Sequence, residues 1–295
     1  MTPQAQGHLA MLVFSALVAG SFSLGGMVAN EIAPLALNAI RFVIAGGVVG
    51  AFAMATTGIP RSALAAPWRY ALLGGLFAIY FVLMFEGLKT SPPVSSAAVF
   101  TLVPAMSGVF GWFLLRQRMT PRMALALTIG GLGALWVIFR ADMAAILAFD
   151  VGRGEVIFFF GCIAHALYTP LVRKLNRGET AVVFSFGVLV AGALWLIMVG
   201  AGDIAATDWS GLRPLVWVTI LYVSICASSI TFVLVQFATL RLPSAKVMAY
   251  TYLVPSWVIG WEAALGNPLP PVMIVAGIAL TVLALLMLLR DEGGK

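Results

Sequence analysis

The chain is a succession of apolar stretches, each about as long as a bilayer is thick. A helix needs about 20 apolar residues to cross. Breaking the sequence at charges, Pro/Gly clusters and interfacial aromatics leaves ten such stretches, near 8–28, 34–56, 68–88, 94–115, 121–140, 155–173, 180–200, 212–238, 244–264 and 270–290. Composition agrees. Hydrophobic residues make up 62% and charged residues 9%, against about 25% charged in a soluble domain, so too few polar groups exist to coat a water-facing surface. The sequence predicts an all-α membrane protein with ten transmembrane helices. The first stretch has no basic flank before it and is long enough to span, unlike a cleavable signal peptide. Cys162 and Cys226 fall inside apolar runs and read as small hydrophobes, not as a disulfide.

The pattern also repeats. Thr101-Leu102-Val103-Pro104 is matched by Tyr252-Leu253-Val254-Pro255, with Pro92 and Pro93 before the first copy and Pro243 before the second. An amide follows each copy, Gln117 or Asn267, and then Pro121 or Pro271. The longest connector separates five spans from five, giving a first repeat over 1–140, a connecting loop over 141–153 and a second repeat over 154–295. Five is odd, so the second unit enters from the opposite side and the repeats are inverted, an arrangement from which many transporters are built. Pro34, Pro93, Pro121 and Pro243 stand at span starts, where a missing N–H costs little.

Basic residues set the orientation. With the N-terminus inside, the inside loops and tail carry Arg61, Arg69, Arg116, Arg118, Arg122, Arg173, Lys174, Arg177, Arg241, Lys246, Arg290 and Lys295, against Lys89, Arg140, Arg153 and Arg213 outside. Twelve against four is the positive-inside bias. Both termini are therefore expected in the cytoplasm. Trp68, Tyr70, Trp112, Trp136, Trp209 and Trp261 fall near span ends and read as belt anchors.

Arg41-Phe42 in the second span, Gly87-Leu88-Lys89-Thr90-Ser91 before the fourth, the duplicated Leu-Val-Pro and the segment from Pro121 to Gly131 resemble the drug/metabolite transporter superfamily, and within it the EamA-type family. The resemblance covers nearly the whole chain. It implies ten helices in two five-helix repeats and a central cavity lined chiefly by spans 3, 4, 6, 8 and 9 with part of span 1. The short basic loops, aromatic interior and single mid-span histidine look most like bacterial inner-membrane exporters of aromatic and other amino acids. That implies export of amino acids and related amphipathic metabolites. One departure stands out: EamA repeats commonly carry a glutamate where this chain has Gln117 and Asn267, which removes that carboxylate as a route for proton coupling.

Ionisable groups inside a bilayer are costly and tend to be functional or paired. His165 shares one helical face with Phe158, Gly161 and Tyr168. It reads as a cavity-lining donor, as a proton-sensitive group, or as a neutral histidine bonded to a neighbouring helix. Phe77, Tyr80 and Met84 form a stripe on span 3 that suits an adaptable apolar wall or simple packing. Ser224, Ser228 and Thr231 share a face at helical spacing on span 8, beside Ser229 and Gln236, for cavity or interhelical bonding. Lys246, Tyr250 and Trp257 share a face of span 9, and the matching region of span 4 offers Ser96, Phe100, Val103 and Ser107. Lys246 either attracts a substrate carboxylate or snorkels to lipid phosphate. Pro104 and Pro255 break the backbone ladder at equivalent depth and are candidate kinks for gating. Arg41 reads as an interfacial anchor, with Glu31 as a possible acid partner. Glu86 and Lys89 read as a solvated pair, and Glu262 as interfacial.

No zinc-protease motif, paired mid-span carboxylates or phosphate-binding loop is present. No cofactor, metal or nucleic-acid partner is expected, and the oligomeric state stays open, a monomer being one option. The reading is a secondary transporter for a small solute. Nucleotide-sugar exchange would need a deep cluster of cations, an intramembrane enzyme would need convergent acid–base groups, and a structural subunit without a transport path would not need the duplicated proline kinks.

Overall fold

The computed structural model describes residues 2–117, 119–148 and 150–289. Arg118, Arg290 and Lys295, counted above in the charge bias, lie outside the described residues. Helices occupy α1 (Pro3–Val28), α2 (Pro34–Thr56), α3 (Trp68–Leu88), α4 (Pro93–Phe100), α5 (Val103–Leu115), α6 (Pro121–Ile138) and α7 (Met143–Ala148). They continue with α8 (Arg153–Leu175), α9 (Ala181–Ala206), α10 (Pro214–Ser224), α11 (Thr231–Thr239), α12 (Ser244–Met248), α13 (Val254–Ala264) and α14 (Val272–Leu289). Among the described residues there is no strand, and nine helical stretches are long and apolar enough to cross a membrane, with α4–α5 and α10–α11 each counted as one. The expected ninth of ten, 244–264, is broken: α12 runs into a 3₁₀ stretch, Ala249–Leu253, before α13 begins. The connector at 141–153 is not all loop, since α7 lies inside it.

Local chemistry explains the boundaries. Proline opens α2, α4, α6 and α10 at a position whose N–H has no helical partner. Thr2, Thr120 and Thr180 cap α1, α6 and α9 by accepting from Ala5, Met123 and Val183 N–H groups. Both Leu-Val-Pro copies mark a helix restart: Leu102 and Leu253 precede α5 and α13, and Pro104 and Pro255 fall in the first turn. Before the first, Thr101 and Leu102 N–H groups reach back only to Ala98 and Val99, a tight turn that ends α4.

The helices are apolar on their outer faces as well as within. On α9, Leu194, Met198 and Val199 are exposed, the pattern of a lipid-facing surface. The main packed pairs are α2 with α9, α3 with α8 and α9, α6 with α14, α5 with α8, and α1 with α11 and α13. Small residues set the closest approaches: a Cβ on Gly74 would run into the Gly192 backbone, and Gly133 and Gly277 each face the other's carbonyl.

Two ion pairs tie the ends of α2's neighbourhood. At one end Arg69 Nη2 meets Glu179 Oε1 at 2.7 Å, both side chains buried. At the other Arg213 Nε donates to Glu31 Oε2 at 2.7 Å, more openly to solvent. The Arg213 pairing holds the Glu31 carboxyl below the usual range. Glu31 therefore does not serve Arg41. Lys89 and Glu86 form the expected half-exposed pair at 2.6 Å. Of the expected belt aromatics, Trp68 and Trp112 are exposed, but Tyr70 is buried, its hydroxyl donating to the Ala63 carbonyl. Trp261 packs edge-on against Tyr222. Both found protein partners that span-end position alone did not reveal.

Candidate functional site

The helices converge on a knot of aromatic rings centred on His165 of α8. His165 stacks on Tyr80 of α3 with centroids 4.5 Å apart and planes 21° apart. Phe77 and Phe100 approach it at 5.2 and 5.3 Å. Phe77 in turn meets Tyr168 at 3.9 Å and Phe232 at 4.3 Å. The sequence-predicted residues Phe77, Tyr80, Phe100, His165 and Tyr168 are thus brought together in one cluster from α3, α4 and α8.

Against this cluster lies a small chamber. Its walls are Phe14, Val18 and Ser21 from α1, Phe77, Tyr80, Phe81 and Met84 from α3, and His165 from α8. Ala227, Thr231, Phe232 and Val235 of the α10–α11 span complete it. Its volume is about 10 Å³, room for roughly one water. Where the family resemblance implies an open central cavity, the described residues at His165 leave only this small chamber, with aromatic side chains forming much of its wall. Phe14, Val18 and Ser21 give α1 a larger share of the walls than expected, whereas Tyr250 of the 3₁₀ stretch lies elsewhere, its hydroxyl 3.1 Å from His8 Nδ1.

The polar inventory is unusual. His165 is 1% exposed, and neither ring nitrogen has a hydrogen-bond partner among the described residues. Ser21 Oγ, on the opposite wall, is also buried without one. Buried polar groups are normally satisfied, and each left unpaired costs about 1–3 kcal/mol. The Tyr168 hydroxyl is held by Gln236 Nε2 at 2.7 Å.

Two backbone irregularities shape the walls. Residues Ile225–Ile230 form a π turn between α10 and α11, so Ser224, Ser228 and Thr231 do not share the face that α-helical spacing predicts. Ser224 Oγ donates to the Ile220 carbonyl and Ser229 Oγ to the Ser224 carbonyl. Ser228 Oγ accepts from Arg41, and Thr231 lines the chamber. The wider turn re-aims side chains and frees backbone groups. The Thr231 N–H turns to the Ser228 carbonyl, while the Ala227 carbonyl accepts from Arg41 Nη2 at 3.0 Å. In α8, Pro170 removes the N–H that would bond the Ala166 carbonyl; Ser107 Oγ of α5 donates to that carbonyl instead, at 2.9 Å.

Arg41 corrects the sequence reading most sharply. It is not an interfacial anchor but fully buried, because packing of α2 on the π turn encloses it. Glu155, which sequence reasoning passed over at a span start, is 2% exposed, and its Oε1 accepts from Ser95 Oγ at 2.7 Å. Gln117 Oε1 accepts from the Ser244 N–H at 3.2 Å, and Asn267 Nδ2 donates to Glu262 at 2.8 Å. The Gln117 amide oxygen thus answers the first N–H of α12 without a charge.

Known proteins place this architecture. The sequence model of the EamA-like transporter family matches the chain twice, over residues 5–139 and 152–290. The uncharacterized transporter YyaM of Bacillus subtilis (strain 168) is 26% identical over 282 residues, spanning 95% of this chain and 92% of its own. The aromatic amino acid exporter YddG of Ancylobacter novellus is 35% identical over 187 residues, 63% of each chain. A protein of known crystal structure, 23% identical, superposes with a TM-score of 0.71 over 97% of this chain and 95% of its own, and so shares the fold.

Proposed function

We propose, since this chain belongs to the EamA-like transporter family, that it is a secondary transporter exporting amino acids and related small amphipathic metabolites across a bacterial inner membrane. It is a multi-pass membrane protein of a transporter family, with a small-molecule substrate and a lipid surround. The finer reading adds alternating access between two inverted five-span repeats, with both termini cytoplasmic.

The packing supports the inverted repeat. Counting α4–α5, α10–α11 and α12–α13 as one span each, exchange the first five spans for the last five. The α3–α8 contact becomes the contact of α11 with α1, and α5–α8 becomes α13–α1. The pairs α2–α9 and α6–α14 map onto themselves. Arg69–Glu179 changes places with Arg213–Glu31 at the opposite end of α2.

The observation that carries the reading is the chamber at His165, walled by spans from both halves and supplied with buried polar atoms that the protein leaves unanswered. An apolar chamber with few convergent polar groups is how small-molecule sites are built. Its closed volume describes a shut state, and rocking of the halves at the helix restarts before Pro104 and Pro255 opens it. Aromatic walls suit an apolar or aromatic side chain, and ring faces also attract an ammonium group.

The test is counterflow of labelled amino acids in proteoliposomes, over a panel including threonine, methionine and the aromatic residues. Saturable exchange, strongest for the aromatic members, is expected. No exchange above empty vesicles for any member of the panel would refute amino-acid export.

A further inference from the structure

Arg41 carries a charge that the fold does not pair. Unlike Arg69, Lys89 and Arg213, which form ion pairs, Arg41 has no carboxylate of the described residues within 4.0 Å. Its guanidinium is held by neutral acceptors alone. Nε donates to Ser228 Oγ at 2.7 Å and Nη2 to the Ala227 carbonyl at 3.0 Å, with Nη1 3.5 Å from Asn38 Oδ1. The remaining face rests on Phe81, ring centroid 3.6 Å from the guanidinium carbon. A buried charge without an opposite charge is expensive, and inside a membrane it is retained for a function or a partner.

The geometry shows where the partner enters. Phe81 and Ala227 are both chamber walls, so one ring and one turn of backbone separate Arg41 from the space beside His165 and Ser21. A guanidinium presents its donors as a planar fork that matches a carboxylate bidentately. A single cation suits a monoanion and does not suffice for a phosphate or diphosphate group.

We propose that Arg41 is the specificity-determining residue that reads the carboxylate of the transported substrate, exposed to the chamber when Phe81 leaves its guanidinium. The substrate class is an amphipathic monocarboxylate, with its apolar body among Phe77, Tyr80 and Phe232. The inference rests on the transport reading above and deepens it at the same site.

Counterflow of labelled phenylalanine in proteoliposomes tests it. Unlabelled phenylalanine, phenylalaninamide and phenethylamine are the competitors, with wild type, Arg41→Lys and Arg41→Gln compared as monodisperse proteins. In wild type the two analogues lacking a carboxylate should compete at least tenfold more weakly, roughly the worth of one charge-assisted hydrogen bond. Arg41→Gln should bring the three competitors to within about twofold of one another, and Arg41→Lys should fall between, keeping the charge without the fork. An unchanged preference in Arg41→Gln would overturn the assignment. Should that variant fail to fold, the wild-type series decides: equal competition by all three overturns the assignment, and discrimination against the two analogues supports it. Absence of exchange by wild type with the whole amino-acid panel would instead sink the transport reading on which the inference stands.

Discussion

Neutralising Glu179 should weaken the protein, while neutralising Glu31 should not. The two carboxylates occupy exchangeable positions at opposite ends of α2 but differ in burial. Glu179 accepts from Arg69 Nη2 at 2.7 Å and from the Arg177 N–H at 2.6 Å, with the Tyr70 hydroxyl at 3.4 Å. Removing one partner of a fully buried pair costs about 3–5 kcal/mol. Here Arg69 keeps the Leu175, Ala65 and Ala66 carbonyls, and Glu179, though its side chain is covered, is only partly buried as a residue, which reduces the loss to about 2 kcal/mol. The Glu31–Arg213 pair is open to water, and surface pairs contribute little. Denaturant unfolding in detergent micelles reads both variants. Its pH dependence adds a signature. Burial alone pushes the Glu179 carboxyl up. Hydrogen bonds from Arg69 and from the Arg177 and Glu179 backbone, with the Arg69 charge, outweigh burial and hold it below its ordinary value of 4.5. A depressed carboxyl contributes stability above its unfolded value and loses it as pH falls through the folded one. The gap between wild type and Glu179→Gln should therefore be constant above about pH 5 and close on acidification. Equal losses in Glu179→Gln and Glu31→Gln, or a gap that widens in acid, would refute the reasoning.

Other outcomes follow from the interior. Ser107→Ala strands the Ala166 carbonyl freed by Pro170, so unfolding free energy should fall by about 1–3 kcal/mol, and Ser107→Thr should recover part of it. His165→Phe keeps a ring against Tyr80 while removing two unpartnered nitrogens. It should leave stability unchanged or raised and slow amino-acid exchange roughly tenfold, the worth of one lost hydrogen bond to substrate. A variant that keeps full exchange would make His165 a packing residue only.

Nine of the ten expected spans stand among the described residues, each a long apolar run closed by proline, threonine or charge. Pro34, Pro93 and Pro121 stand where their missing N–H costs nothing, and the structure starts helices there. Helical spacing put Phe77 with Tyr80 on span 3 and His165 with Tyr168 on span 6, whereas the meeting of spans 3, 4 and 6 was implied only by the family resemblance. Arg41 could not be placed that way: its burial depends on how α2 meets the π turn, a long-range contact. The π turn itself is a change of hydrogen-bond register, invisible in an apolar run with few breakers, and it separated Ser224, Ser228 and Thr231. Pro170 inside α8 drew no notice in the sequence, and the partner of the carbonyl it frees, Ser107, lies 59 positions away from Ala166. The small size of the chamber depends on ring orientations that no spacing encodes.

Access to Ser21 from the two faces tests the central claim most directly. With Cys162 and Cys226 replaced by alanine, a Ser21→Cys variant carries one thiol on the chamber wall. In vesicles of defined orientation, a membrane-impermeant maleimide should label that thiol slowly whether applied inside or outside, and saturating substrate amino acid should protect it. A thiol that never reacts from either face, or reacts from both with no protection by substrate, would contradict a chamber that opens in turn to each side and holds the cargo.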